Sequence, residues 1–552
     1  MFSGGEKMAP VKKKTVRLNH RGAVLIISMI FVLLFSALAV SMATLSGTNV
    51  QLASNQHKLN SALSAAQSGL ECGRYIVATV NLGETGLNYV TTAQANQVWA
   101  DLCQHLQSTA IDGQTVPSAS NFSDAIGSGD EIITPSINFG STNADFLLRF
   151  YRYDSDPHTI KLQSTGNDGG VTRKITMDME ITKDNTVLTY AIASRGRMWL
   201  TGDTTIHGNL YSSWDRPEIT PFNMTSDSTV LGTINTVLTL EQIEAQSYQM
   251  ETLDMNGNPI DANGNPLGSN YQDRYYSAGD EIQAYHEGIN YGQPNQNVPG
   301  TDISDYDTDI YNSGLIEIPS CPDANRVIEY FPHDTNDYGV PSQSWSRQLN
   351  RHVYENQTFT NAKLPNNRNA LFRNCTFEEV LYVDCSKSGS SYYNNVRFEN
   401  CTFNGVVVTD TPEVFKWQHN CLYFTGEATF NNTSSVQEAT ILAPHFNVNL
   451  GNTNPAQNDN NVLTGAIVGG IVDVRGNAQI YGTIISMCDT TQWSSGYVTN
   501  IGATLNDGGN ETTSLGDVGV ISITPEAEQM LPSGILSPIV IRLSQNTYSE
   551  EI

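Results

Sequence analysis

The stretch from Gly22 to His57 contains no Asp, Glu, Lys or Arg, and its first part, Ala23 to Leu45, is almost wholly apolar. At about 1.5 Å of rise per residue a helix over Ala23–Leu45 extends roughly 35 Å, enough to cross a hydrocarbon core of about 30 Å with some tilt. A basic leader precedes it, with Lys7, Lys12, Lys13, Lys14, Arg17 and Arg21. Such a flank keeps the N-terminus in the cytoplasm and sends the rest of the chain across the inner membrane. Three kinds of segment share this outline. A secretory signal has a shorter apolar run, and its cleavage site here would be Ser41-Met42-Ala43. A plain anchor is never cut. The third kind continues beyond the membrane as an amphipathic helix, and the residues after Leu45 decide whether it applies.

The residues that follow favour the third. From Gln51 the chain reads QLASNQHKLNSALSAAQSGLECGRYIVATV, with Leu52, Leu59, Leu63, Ala66, Leu70, Val77 and Val80 at helical spacing. Proline is absent from Ala23 to Val80, so one helix is expected over 23–80, the membrane span being 23–45. Gly47, Gly69 and Gly73 are its weak points.

HRGAVLIISMIF followed by SNQHKLNSALSAAQSGLECG resembles the N-terminal region of PilX-type minor pilins of type IV pili. It is also similar to the largest minor pseudopilin of type II secretion, and the likeness covers about Asn19 to Ile76. The resemblance implies a prepilin-type leader over 1–22, cut by prepilin peptidase after Gly22, with Ala23 as an N-methylated first mature residue. Major pilins carry a Glu at mature position five; here that position is Ile27. A buried carboxylate with no partner costs several kcal/mol, so a subunit with no neighbour above it does better without one. A filament tip, or the initiation of assembly, is the place this implies. The plain alternative is that Ile27 is one more lipid-facing residue.

Net charge is −27, and because the first 21 residues contribute +5, the remainder carries −32. That argues against nucleic acid and anionic membrane surfaces as partners. Eight cysteines suit an oxidising compartment without demanding disulfides. Cys72 and Cys103 flank a short connection and form one candidate pair. Cys375, Cys385, Cys401 and Cys421 lack zinc-site spacing. No cofactor is expected.

Residues 81–185 read as a pilin-like α/β head. Phe146–Ile181 contains three strands with turns at Asp154–Pro157 and Gly166–Gly170. In the last strand Val171, Arg173, Ile175, Met177, Met179 and Ile181 share one parity, which predicts a sheet face packed on the long helix. Arg173 breaks that parity near the strand's entry. STGNDGGVTRKI resembles the closing hairpin of pilin-like heads.

Beyond the head the texture is repetitive. Leu200–Ser212 aligns with Val474–Ser486, both short apolar strands punctuated by Gly and Asn. Between them, YENQTF (Tyr354–Phe359), FRNCTF (Phe372–Phe377) and FENCTF (Phe398–Phe403) recur. These repeats predict a parallel β-helix, or solenoid, over 186–213 and 346–545. Asn374 and Asn400 would turn the chain, and Cys375 and Cys401 would stack in the core, with a disulfide or a metal pair as the alternatives. An antiparallel β-sandwich is the alternative. The fold class is thus an α+β pilin-like N-terminal part followed by a mostly β domain.

Residues 214–345 read as a polar insertion, with the duplicated DMNGNPI and DANGNPL as turn signals. Asp302, Asp305, Asp307 and Asp309 cluster there, with a solvated loop as the default and calcium as the alternative occupant. Catalysis is not expected. Asp384 with Glu378 and Glu379, or Arg373 and Arg397, could supply acid–base groups, but none forms a motif. His333, His352, His419 and His445 are scattered. The expected partners are other pilin or pseudopilin subunits, the inner membrane, prepilin peptidase and a surface ligand. Two further readings stay open: a surface β-helix anchored in the inner membrane outside any filament, and a polysaccharide-active enzyme.

Overall fold

The computed structural model describes residues 20–111, 113–138, 144–200, 204–217, 221–224, 228–244, 252–253, 259–260, 282, 284–295, 298, 300–301, 314–331, 347–385, 394–412, 419–431, 439–450, 460–474, 477–487, 498–502, 520–525 and 530–551. They fall into two units. One holds the chain up to Val80, Ala100–Glu180 and the residues from Leu543 on; the other holds Asn81–Trp99 and Ile181–Arg542.

The first unit is built on α1 (His20–Ala78), continuous through Gly47, Gly69 and Gly73. With no proline and many Ala and Leu residues, nothing in this stretch stops a helix. Its C-terminal part buries Ala62, Ala65, Ala66, Leu70 and Val77 against an antiparallel meander of β1 (Ala144–Tyr153), β2 (Asp156–Asp168) and β3 (Val171–Lys183). Leu148, Phe150, Ile160, Leu162, Ile175, Met177 and Met179 are all buried, as strict alternation on one packed sheet face requires. Arg173, near the entry of β3, is half-buried.

Helix and sheet meet at backbone distance. A Cβ on Gly166 would lie 2.1 Å from the Ala62 carbonyl oxygen and 2.5 Å from the Ala66 nitrogen, so only glycine fits. The three strands run further into their turns than the sequence suggests, leaving Asp154–Ser155 and Gly169–Gly170 as the connections. Within this unit the end of the last strand (Ile535–Glu551) lies beside β3, where the Asp178 amide donates to Thr547 Oγ1 at 2.8 Å.

The second unit is dominated by parallel pairing, in three ladders of short strands that each place one apolar column inside. The first inner column runs Tyr354, Phe372, Phe398, Phe424, Leu450, Val474, Ile501, Leu200 and Met224. The second runs Ala362, Leu381, Val407, Ile441, Ile467, Ile484, Ile192, Leu210 and Ile234. The third contains Phe359, Phe377, Phe403 and Phe430, and further along Leu463, Ile480, Ile523, Ile206 and Val230. Rings stack face to face within a column, Phe372 on Phe398 at 5.5 Å and Phe377 on Phe403 at 5.1 Å, and edge to face between columns. Each buried Phe contributes roughly 1.5–3 kcal/mol of transfer free energy.

The FxNCTF repeat sets the corner between two of these columns. Asn356, Asn374 and Asn400 sit at φ of 53°, 50° and 52°, followed in register by Gly426 at 68°. Asparagine tolerates this left-handed conformation better than other side-chain-bearing residues. The Asn400 side-chain oxygen accepts from the Glu427 amide at 3.0 Å, joining one turn to the next. Cys375 and Cys401 follow directly, buried and hydrogen-bonded to the carbonyls of Tyr354 and Phe372.

Two sequence boundaries move. Residues 214–345 do not form one insertion: Phe222–Met224, Thr229–Val230, Thr233–Thr236 and Gly288–Asn290 continue the parallel ladders. Their inward residues are few and their outward residues polar, which hides them in a polar stretch. The ladders also stop at Ile521–Thr524 rather than 545, because Ile535–Glu551 joins another sheet, pairing at Ser537–Pro538 with Glu84–Thr85. The duplicated heptapeptides and Asp302, Asp305, Asp307 and Asp309 lie outside the described residues, apart from a short Thr252–Leu253/Pro259–Ile260 pairing.

Candidate functional site: the N-terminal assembly helix

The first half of α1 carries an unpartnered apolar surface. Val24, Leu25, Ile26, Ile27, Phe31, Leu34, Leu38 and Leu45 are all more than half exposed, and Ile30 is half exposed. A soluble chain rarely leaves so contiguous an apolar surface in water. Gly22–Ala78 is long and apolar enough to cross a membrane, and the apolar window of that helix is not buried at all. Several of its hydroxyls bond to the helix's own carbonyls: Ser28 Oγ donates to Leu25 at 2.8 Å, Thr44 Oγ1 to Val40 and Thr48 Oγ1 to Thr44, both at 2.9 Å. A helix in lipid has to close its polar groups in this way.

Gly22, Ala23 and Ile27 lie on one uninterrupted helix. Apart from its own helix backbone, no described residue comes within 4 Å of where a Gly22 Cβ would be, so packing among the described residues gives no reason for a glycine there. Ile27 is 52% exposed on the apolar surface.

Residues 21–71 match the family model described as PilX N-terminal. The N-terminal region is PilX-type. The apolar helix together with this family supports membrane anchoring of the PilX-type segment. Among solved structures, the competence-associated pilin ComZ from Thermus thermophilus is similar over 90% of this chain and 97% of its own, at 12% identity and a TM-score of 0.25. A likeness at that score adds nothing to the fold described above. No curated protein matches the chain.

Cys72 and Cys103, the candidate pair, are both free thiols in the structure, and burial pushes the Cys103 thiol up to about 11. Desolvation disfavours the thiolate there, which makes it a poor nucleophile. The acid–base candidates in the β region are committed to neighbours. Glu378 accepts from the Asn404 side chain at 3.0 Å, and Asp384 lies 3.5 Å from Lys363 Nζ. Arg373 bridges Glu355 and Glu399 at 3.2 and 3.0 Å. His352 Nδ1 accepts from the Cys321 amide and His445 Nδ1 meets the Pro412 carbonyl at 2.8 Å. His333 lies outside the described residues.

One charged cluster escapes sequence reading. Arg326–Phe331 runs antiparallel to Arg347–Glu355, against an outer face of the parallel ladders. It carries Glu329 to 2.7 Å from Arg351 Nε and 3.3 Å from Arg397 Nη1, all three buried. Arg351 also donates to the Asn395 carbonyl and to its side-chain oxygen. Burial pulls its pKa down while Glu329 holds it up, so the guanidinium depends on that carboxylate. Nothing in the spacing of these three residues signals the cluster, since two lie in strands and the third in an apparent insertion.

Proposed function

We propose that the chain is a minor pilin or pseudopilin-type filament subunit whose β region recognises a surface. The observation that carries this reading is the PilX-type helix, half bare and half packed on its own sheet. The bare half suits lipid before assembly and neighbouring subunits after it. Cleavage after Gly22 leaves Ala23 as the mature N-terminus, and Ile27 in place of a glutamate suits the tip or the initiation of a filament. The cytoplasmic leader and the position of the remaining chain outside the inner membrane follow from the basic flank.

The parallel ladders, their three apolar columns and the left-handed Asn corners support a parallel β-helix rather than a sandwich, whose sheets would pair antiparallel. Inserted between β3 and the terminal strand, this β-helix is the cargo that the helix carries. Antibody detection in sheared surface filaments, compared with the inner-membrane fraction, tests the reading. It predicts label in the filaments, and label confined to the inner membrane contradicts it.

A further inference from the structure

The three ladders of the second unit present three outward faces with different fates. On the face that includes Tyr382, Val408, Leu442, Val468, Ile485, Ala193 and Tyr211, the outward side chains are covered by Val187, Leu188, Val298, Leu531 and Ile535. On the face that includes Leu371, Arg397, Tyr423, Asn449, Asp473 and Trp199, every one of those side chains is buried. Among the described residues, the third face is covered by no other element. Its outward column runs in register through Thr358, Thr376, Thr402 and Thr429, then Val462, Gln479, Ser522, Thr205 and Thr229, each half-buried or exposed.

A second column lies two residues on. Thr360, Glu378, Asn404 and Asn431 stand in register, and so do Thr464, Tyr481 and Thr524. Amide side chains link the rows, Asn431 donating to Asn404 at 2.9 Å and Asn404 to Glu378 at 3.0 Å. Tyr481 is 41% exposed, its hydroxyl donating to Gln479 at 3.3 Å.

We infer that this open face binds a neutral polysaccharide; the inference rests on the surface-recognition reading above and gives it a ligand class. In a chain of net charge −27 the two columns hold a single carboxylate, Glu378, already engaged by Asn404. A polyanion is repelled by the rest of the chain, and a polycation finds almost no counter-charge on this face. An uncharged polymer rich in hydroxyls matches it. Thr hydroxyls and Asn and Gln amides both donate and accept, and their rows recur about every 4.8 Å, on the scale of one sugar ring. Tyr481 supplies an aromatic face with a polar tip against which a pyranose ring stacks.

The test uses full-length protein in detergent, mixed with four insoluble neutral polymers (microcrystalline cellulose, chitin, starch granules and cross-linked dextran) and with immobilised polygalacturonate and chitosan. At least one neutral polymer retains the protein and the charged ones do not. Tyr481→Ala weakens retention about tenfold, and Gln479→Lys, on an exposed side chain, weakens it with an unchanged melting temperature. Retention by none of the neutral polymers, equal retention by polygalacturonate, or wild-type retention by both variants overturns the inference. Sheared filaments from the same cells separate the two ideas. Protein found in filaments but on no neutral polymer sinks the glycan inference alone; protein held by a neutral polymer but absent from filaments sinks the filament reading alone.

Discussion

Ile192 and Ile484 stand directly opposite each other in a parallel pair, although they come from the two ends of the repetitive region. The chain enters the stack next to where it leaves it. Arg197–Leu200 pairs with Val498–Ile501, and Thr204–Ile206 with Ile521–Ile523, in the same way. This seam fastens an early segment to a late one, so it cannot form until nearly all of the region has been made.

Truncating either side of the seam should therefore destabilise both. Ile192→Ala and Ile484→Ala remove fully buried side chains, and each is expected to cost about 2–5 kcal/mol. Hydrogen exchange should show lost protection in 192–194 and 484–486 alike, whichever residue is changed. Loss confined to the mutated strand would show that the seam is not a cooperative contact.

Glu329 holds two buried guanidinium groups, Arg351 and Arg397. Glu329→Gln removes this carboxylate from both buried guanidinium groups and is expected to cost about 3–5 kcal/mol by denaturant unfolding. Replacing the three together by Leu, Met and Leu should recover most of that loss, because an apolar cluster needs no pairing.

Gly166 and Gly47 make a matched pair of tests. Gly166→Ala forces a Cβ to 2.1 Å from the Ala62 oxygen, and overpacking of this kind costs about 1–3 kcal/mol or more. Gly47 has nothing within 4 Å, so Gly47→Ala is neutral or stabilising by up to about 1 kcal/mol. Melting temperatures of the two variants should move apart.

Tyr153 donates to Asp124 Oδ2 at 2.9 Å, and desolvation followed by that carboxylate pushes its pKa up to about 12. Folded Tyr153 thus holds its proton more tightly than an unfolded tyrosine, whose pKa is near 10. The stabilisation is fully present below about pH 10 and is lost as pH rises toward 12. Denaturation midpoints should fall over that window in the native protein and fall less in Tyr153→Phe. An absorbance titration should show one late-ionising tyrosine fewer in Tyr153→Phe than in the native protein, where burial also raises Tyr354.

Local patterns were legible and long-range partners were not. The recurring FxNCTF motif exposes its own period, so the Phe columns and the positive-φ corners at Asn374 and Asn400 can be read from it. The alignment of Leu200–Ser212 with Val474–Ser486 holds in space, since Ser212, Ser194 and Ser486 stand in one register. The seam itself was invisible, because strand pattern says which face is apolar and not which strand lies beside it. The same ambiguity hid the destination of Ile535–Glu551, whose alternation suits any half-buried sheet. In the N-terminal helix, length and uncharged span are encoded in consecutive residues, so that part of the candidate site could be read directly. The Glu329 cluster could not, because its members meet only through the fold.

The central claim is that α1 is a pilin-type assembly helix, and the mature N-terminus tests it most directly. Intact-mass and N-terminal peptide mass spectrometry on protein extracted from membranes should find a chain beginning at N-methylated Ala23. A chain beginning at Met1 or Phe2, or one cut after Ala43, would contradict the account.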